Sequence, residues 1–214
     1  MRILYLLLLS MLVVASATAQ DQHAFEQYLQ RLDSVVDNRS SYHEMKRATI
    51  NRMLALGKNI TSEPDLYLHN SQIYDECFTF DSELAMKVVE ENQKIAKHRQ
   101  DKEAEYEWKI KESFLLASTG QFLEAVNAID GINVEDMPHA LQLEYYDQMQ
   151  YLYSHMSQYS WGAELKDHYN QMQYIYNDSI YSITRQSDPN YVWYKAWQDL
   201  SHNKAEESIA RLKT

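Results

Sequence analysis

An all-α fold of stacked antiparallel helix pairs is predicted by three features of the sequence. Glycine and proline are scarce, four and three in 214 residues, too few for the frequent turns of a sheet protein. Apolar residues recur at steps of three and four, the spacing of a helix face, and no segment alternates as a half-buried strand would. Short breaks join these segments in consecutive pairs, as in α-hairpins.

The first nineteen residues read as a targeting segment rather than as part of the fold. Arg2 supplies a positive charge, Ile3 to Val14 an apolar run, and Ala17-Thr18-Ala19 the small residues of a cleavage site. The run is too short to span a bilayer, which takes about 20 helical residues. Residues 20–214 form the predicted helical-repeat domain, exported to the periplasm or cell envelope. Its first pair covers about 22–57. Phe25, Leu29, Leu32 and Val36 line one face of its first helix, and a second helix over 41–56 ends at Gly57.

The second pair, about 64–98, opens at Ser62-Glu63-Pro64, with proline in the first turn where its missing N–H is harmless. Asp81-Ser82 opens its second helix, which runs to about His98. The third pair, 101–131, runs from Asp101 to Thr119, stops at Gly120, and returns from Gln121 to about Ile129. The fourth, 137–185, starts at Pro138 with Leu141, Tyr145, Met149, Leu152 and Met156 along one side. Its return helix carries Trp161, Leu165, Tyr169, Met172, Ile175, Ser179 and Ile183. Pro189 opens the fifth pair, 189–212, which closes with Asn203 to Leu212.

Charge and composition exclude several functions. The net charge is -11, whereas nucleic-acid binding needs a basic surface that displaces counterions. Anionic lipid is disfavoured for the same reason, and no second stretch is long enough to insert in a membrane. An acidic chain suits solubility or a cationic partner. Cys77 is the only cysteine, so no intrachain disulfide and no cysteine-based zinc cluster can form.

No catalytic, metal or cofactor motif is present. His43-Glu44-Met45-Lys46-Arg47 begins like a zincin helix but has arginine where the second ligand belongs. No G-x-S-x-G or phosphate-cradling glycine loop occurs. Adjacent carboxylates such as Glu90-Glu91 and Glu206-Glu207 point in different directions on a helix and read as solvated faces. Eleven of the seventeen tyrosines follow residue 144. They suit a binding face, but packing of large hairpins accounts for most of them.

Thr119-Gly120-Gln121-Phe122-Leu123-Glu124-Ala125 resembles the hairpin core of a tetratricopeptide repeat. Glycine ends the first helix, the aromatic caps the hairpin, and alanine lets the second helix approach closely. Ser157-Gln158-Tyr159-Ser160-Trp161-Gly162 repeats the pattern 37 residues later with Gly162 in the alanine place, and Phe80 with Ala85 resembles a copy 40 residues earlier. Lys109 and Glu112 depart from the family's first-helix tryptophan and leucine, and Gln150 from its small residue. The resemblance, over about 64–185, implies a right-handed superhelix, an α-solenoid of tetratricopeptide type.

A second resemblance lies in Leu32-Asp33-Ser34-Val35-Val36-Asp37-Asn38-Arg39, followed by Tyr42, Lys46-Arg47 and Ile50. It is similar to the start of Bacteroidetes-type membrane-tethered transcriptional regulators. In that family an exported repeat region precedes a membrane helix, a coiled coil and a DNA-binding domain. It implies that this chain, which stops at Thr214, is the exported sensor portion or a truncated relative.

In tetratricopeptide arrays the first helix of each pair lines a concave groove. Carried onto this sequence, the groove positions are Gln72, Asp75 and Glu76, then Glu107, Phe114 and Ser118, then Glu144, Asp147, Tyr151, Ser154 and His155. Acidic and tyrosine-rich, such a groove suits a cationic or amide-rich extended segment of a protein or peptide, with a second copy of the chain as another partner. Two other readings stand beside it: a free-standing envelope scaffold, and a glycan-binding accessory protein that stacks sugars on Trp161, Trp193 and Trp197.

Overall fold

The computed structural model describes residues 25–213, so the expected targeting segment lies outside the described residues. Ten helices account for most of them, and no strand occurs among them. They are α1 (residues 25–37), α2 (Arg39–Gly57), α3 (Glu63–Cys77), α4 (Ser82–His98), α5 (Lys102–Ser118), α6 (Phe122–Ala128), α7 (His139–Tyr159), α8 (Ala163–Ile183), α9 (Tyr191–Ser201) and α10 (Ala205–Leu212). A 3-10 turn over Val134–Asp136 precedes α7. The chain divides into two compact units, one up to Ala55 and one from Leu56 onward.

In the first unit the helical hydrogen bonding continues across the boundary between α1 and α2. Asn38 N–H bonds the Ser34 carbonyl and Tyr42 N–H bonds the Asn38 carbonyl, both at 3.1 Å. The Asn38 side-chain amide also donates to Ser34 at 2.7 Å. The sequence suggested a turn between residues 37 and 41, but these bonds carry the helix through it. The Phe25, Leu29, Leu32 and Val36 stripe is exposed.

The second unit is the stacked array of helix pairs expected from the sequence. Helix starts follow capping chemistry. The Asp81 and Asp101 carboxylates accept from Leu84 N–H at 3.0 Å and Ala104 N–H at 3.1 Å, satisfying amides that the first turn leaves unpaired. Pro64 sits in the first turn of α3. Pairing is antiparallel. His98, at the end of α4, meets Glu63 at the start of α3 at 3.0 Å. His139, opening α7, donates to the Ile183 carbonyl at the end of α8 at 2.7 Å.

The core runs between the pairs. Ala85 and Ala125, the predicted close-approach alanines, are fully buried, and Ala117, Ala125, Ile129, Met149 and Leu152 form one cluster. Buried amides cross-link the helices. Asn70 donates to Asn92 at 3.0 Å, and Asn92 donates to the Tyr67 carbonyl at 3.0 Å. Gln148 of α7 donates to Ser113 of α5 at 3.0 Å, both side chains buried, which sets the register of these two neighbours.

Two details of the fourth pair differ from the sequence reading. Gly162 caps α8 in open space, with nothing within 4 Å of a Cβ placed there. It therefore makes no close helix crossing, and Trp161 beside it is fully exposed. The inward face of α8 is also rotated from the expected stripe. Leu165 and Ile175 are exposed, and Asn177 and Ile180 are buried. Tyr176 packs on Tyr153 with ring centroids 5.7 Å apart, and Tyr145 lies at 6.5 Å. Tyrosine rings fill this interface, so polar-tipped residues take positions where aliphatic ones were expected.

Candidate functional site

Helices α3, α5 and α7, the first members of successive pairs, bring an aromatic ladder to one surface. Tyr74 stacks on Phe78 at 5.6 Å, Phe78 lies 5.9 Å from Phe114, and Phe114 lies 5.2 Å from Tyr151. His155 continues the row 4.1 Å beyond Tyr151, its Nδ1 hydrogen-bonded to the Tyr151 carbonyl at 2.9 Å. The ladder rests on Trp108, which is fully buried. The Trp108 indole N–H donates to the Tyr67 hydroxyl at 2.9 Å, and that hydroxyl donates to Glu107 at 3.0 Å. Burial, together with the Glu107 carboxylate, pushes the Tyr67 pKa up to about 12.

The ladder floors a cleft of about 280 Å³ lined by Tyr74, Asp75, Phe78, Ile110, Lys111, Phe114, Glu144, Asp147, Gln148 and Tyr151. Carboxylates of Asp75, Glu144 and Asp147 stand against a single cation, Lys111. Lys111 pairs with Glu107, and its ammonium lies 4.6 Å from the Trp108 ring centroid and 5.5 Å from that of Tyr74. A cation is thus already held here by carboxylate and π-face together. Glu144 and Asp147 stay open to solvent, but the cleft walls remove part of their water and raise both carboxyl pKa values. For Glu144 this outweighs the opposing pull of Lys111.

Five of the positions carried over from the repeat resemblance, Asp75, Phe114, Glu144, Asp147 and Tyr151, line this cleft. Glu107 and His155 adjoin it through Lys111 and Tyr151. Gln72, Glu76, Ser118 and Ser154 are not in its lining, and Ser118 turns back to the Leu115 carbonyl at 2.8 Å. Sequence reasoning missed Tyr74, Phe78, Ile110, Lys111 and Gln148. Phe78 is three residues after Asp75, and Lys111 four after Glu107, so helical spacing from the chosen positions would have found both.

A second, smaller cleft of about 120 Å³ adjoins the first at Asp147. Its other lining residues are Gln150, Asn177, Ile180, Trp193, Tyr194 and Trp197. Trp161 is not among them, so Trp161, Trp193 and Trp197 do not form one platform. Among the described residues no group of three or more His, Cys, Asp or Glu could hold a metal ion, and no helix is long and apolar enough to cross a membrane.

The sequence profile described as the SusR N-terminal TPR domain matches residues 36–214, a span that includes both clefts. No curated protein and no solved structure matches the chain. SusR is a Bacteroidetes regulator, and tetratricopeptide domains are generally non-catalytic scaffolds. With its paired helices, buried hairpin alanines and matched span, the chain belongs to the SusR N-terminal TPR domain family, the helical-repeat region of a SusR-type regulator.

Proposed function

We propose that this domain is the exported sensory part of a membrane-tethered transcriptional regulator, and that it senses by binding an extended protein or peptide segment in the cleft of α3, α5 and α7. One observation carries the reading: an aromatic floor from three successive helix pairs is rimmed by Asp75, Glu144 and Asp147. Aromatic rings supply apolar area at low entropic cost. The carboxylates, partly stripped of water, gain from a ligand that returns a positive charge. The bound segment is therefore one with cationic and apolar side chains. Binding then reports outside the membrane, and the regulatory output follows elsewhere in the regulator.

The test is selection of peptides from a displayed random library on the folded domain. Enrichment of lysine- or arginine-bearing sequences is expected, and replacement of both Asp147 and Tyr151 by alanine should abolish their binding. Tyr151 contacts Phe114 and His155, so that double variant loses some stability. Asp147→Asn removes a charge that the cleft walls desolvate, so it should weaken binding without lowering the melting temperature. Selected peptides with no preference for positive charge, or an affinity unaltered in both variants, would contradict the reading.

A further inference from the structure

The smaller cleft has a composition of its own. Trp193 and Trp197 stand one turn apart on α9, their rings 6.0 Å apart at 67°, forming a corner. Tyr194 of the same helix lines it too, with Asn177 and Ile180 of α8 and Asp147 and Gln150 of α7. Asp147 is the one charged residue of this lining, which holds no lysine of its own. Asn177 is already engaged, donating to Ser201 at 3.0 Å. At about 120 Å³ the space is smaller than the ~150 Å³ cavity that accepts one benzene, so it takes a single head group rather than a length of chain.

We infer that this cleft is a separate subsite for one organic cation, an alkylated ammonium or a guanidinium, held by the Asp147 carboxylate against the indoles of Trp193 and Trp197. Indole is the strongest aromatic partner for a cation, and a carboxylate beside it supplies the charge that an apolar corner lacks. Because Asp147 lines both clefts, a two-part ligand can place an apolar group over the ladder and its cation among the tryptophans. That joint use rests on the function proposed above; the cation subsite itself does not.

Tetramethylammonium is a suitable probe, read by the indole N–H signals of the four tryptophans in NMR spectra of the full chain. The signals of Trp193 and Trp197 should shift saturably while that of Trp161 stays still. Asp147→Asn and Trp193→Leu, both at exposed positions, should each weaken the probe roughly tenfold. Phe114→Ala, in the other cleft, should leave it unchanged. Equal shifts with tert-butanol, a neutral molecule of similar size, would overturn the inference, as would shifts produced by a neutral disaccharide and not by the cation. If the subsite fails while selected peptides still bind through Tyr151, only this inference falls. If the probe binds as expected and no peptide does, the peptide reading falls instead.

Discussion

Gln100 and Asn203 adopt left-handed backbone, φ 54° and 60°, in turns built like the one at Gly120, φ 82°. In all three the next N–H reaches back to a helix carbonyl: Asp101 to Ala96 at 3.0 Å, Gln121 to Leu116 at 2.9 Å, and Lys204 to Asp199 at 2.8 Å. This closes the helix end. Nothing lies within 4 Å of a Cβ at Gly120, so Gly120→Ala tests conformation alone and should cost about 1 kcal/mol in urea unfolding. Gln100→Gly should instead stabilise by about 0.5 kcal/mol, relief of strain exceeding the added freedom of the unfolded chain. Gly120 was legible as a stop. Gln100 was not, because glutamine has no preference for that region.

Asp199 shows how a buried charge ties the last pair together. Burial pushes its carboxyl pKa up, but hydrogen bonds and charge from Lys195 and Arg211 outweigh this and hold it below the usual carboxylate range. A depressed folded-state value stabilises above the unfolded value and is lost as pH falls through the folded one. Acidification below about pH 4 should therefore loosen α9 and α10, seen as faster amide exchange in these helices. Asp199→Ala should remove that pH dependence and cost about 2 kcal/mol at neutral pH. An unchanged acid profile in the variant would contradict the assignment.

At the scale of elements, what could be read depended on whether local chemistry or packing decides. Asp81 and Asp101 announce helix starts with side chains that bond their own first turn, and both starts were placed from sequence. The stripe of α7 was read in register because Leu141, Met149 and Leu152 are aliphatic and buried. For α8 the same rule misled. Its interface with α7 is built from Tyr145, Tyr153, Tyr169 and Tyr176; Tyr145 and Tyr169 belonged to the expected stripes, whereas Tyr153 and Tyr176 lay outside them. Trp161 and Gly162 imitate a repeat signature, but in the folded chain they form an exposed turn.

The cleft belongs to the second unit as a whole, since no one pair contains it. Its acidic rim was legible through Asp75, Glu144 and Asp147, and its aromatic row through Phe114 and Tyr151. Of the missing rungs, Phe78 was within reach of helical spacing from Asp75, whereas Tyr74 takes its place in the row through its packing on Trp108 of α5, a fact of stacking and not of spacing. Lys111 was legible only in half: its pairing with Glu107 is local, whereas its seat on Trp108 and Tyr74 takes two helices. This cation already bound in place is a model for what the neighbouring carboxylates would hold.

Glu144 and Asp147 carry raised carboxyl pKa values because the cleft walls desolvate them. In their ionised form they cost stability, a cost relieved as pH falls through the raised values, and a bound cation offsets it while they stay charged. The most direct measurement is the affinity of a selected arginine-bearing peptide followed calorimetrically from pH 7 down to pH 4. It should weaken in a range above the ordinary carboxylate values of about 4, and this dependence should vanish in Glu144→Gln/Asp147→Asn, which should also bind at least tenfold more weakly at pH 7. An affinity independent of pH, or undiminished in that variant, would contradict a cation-binding cleft.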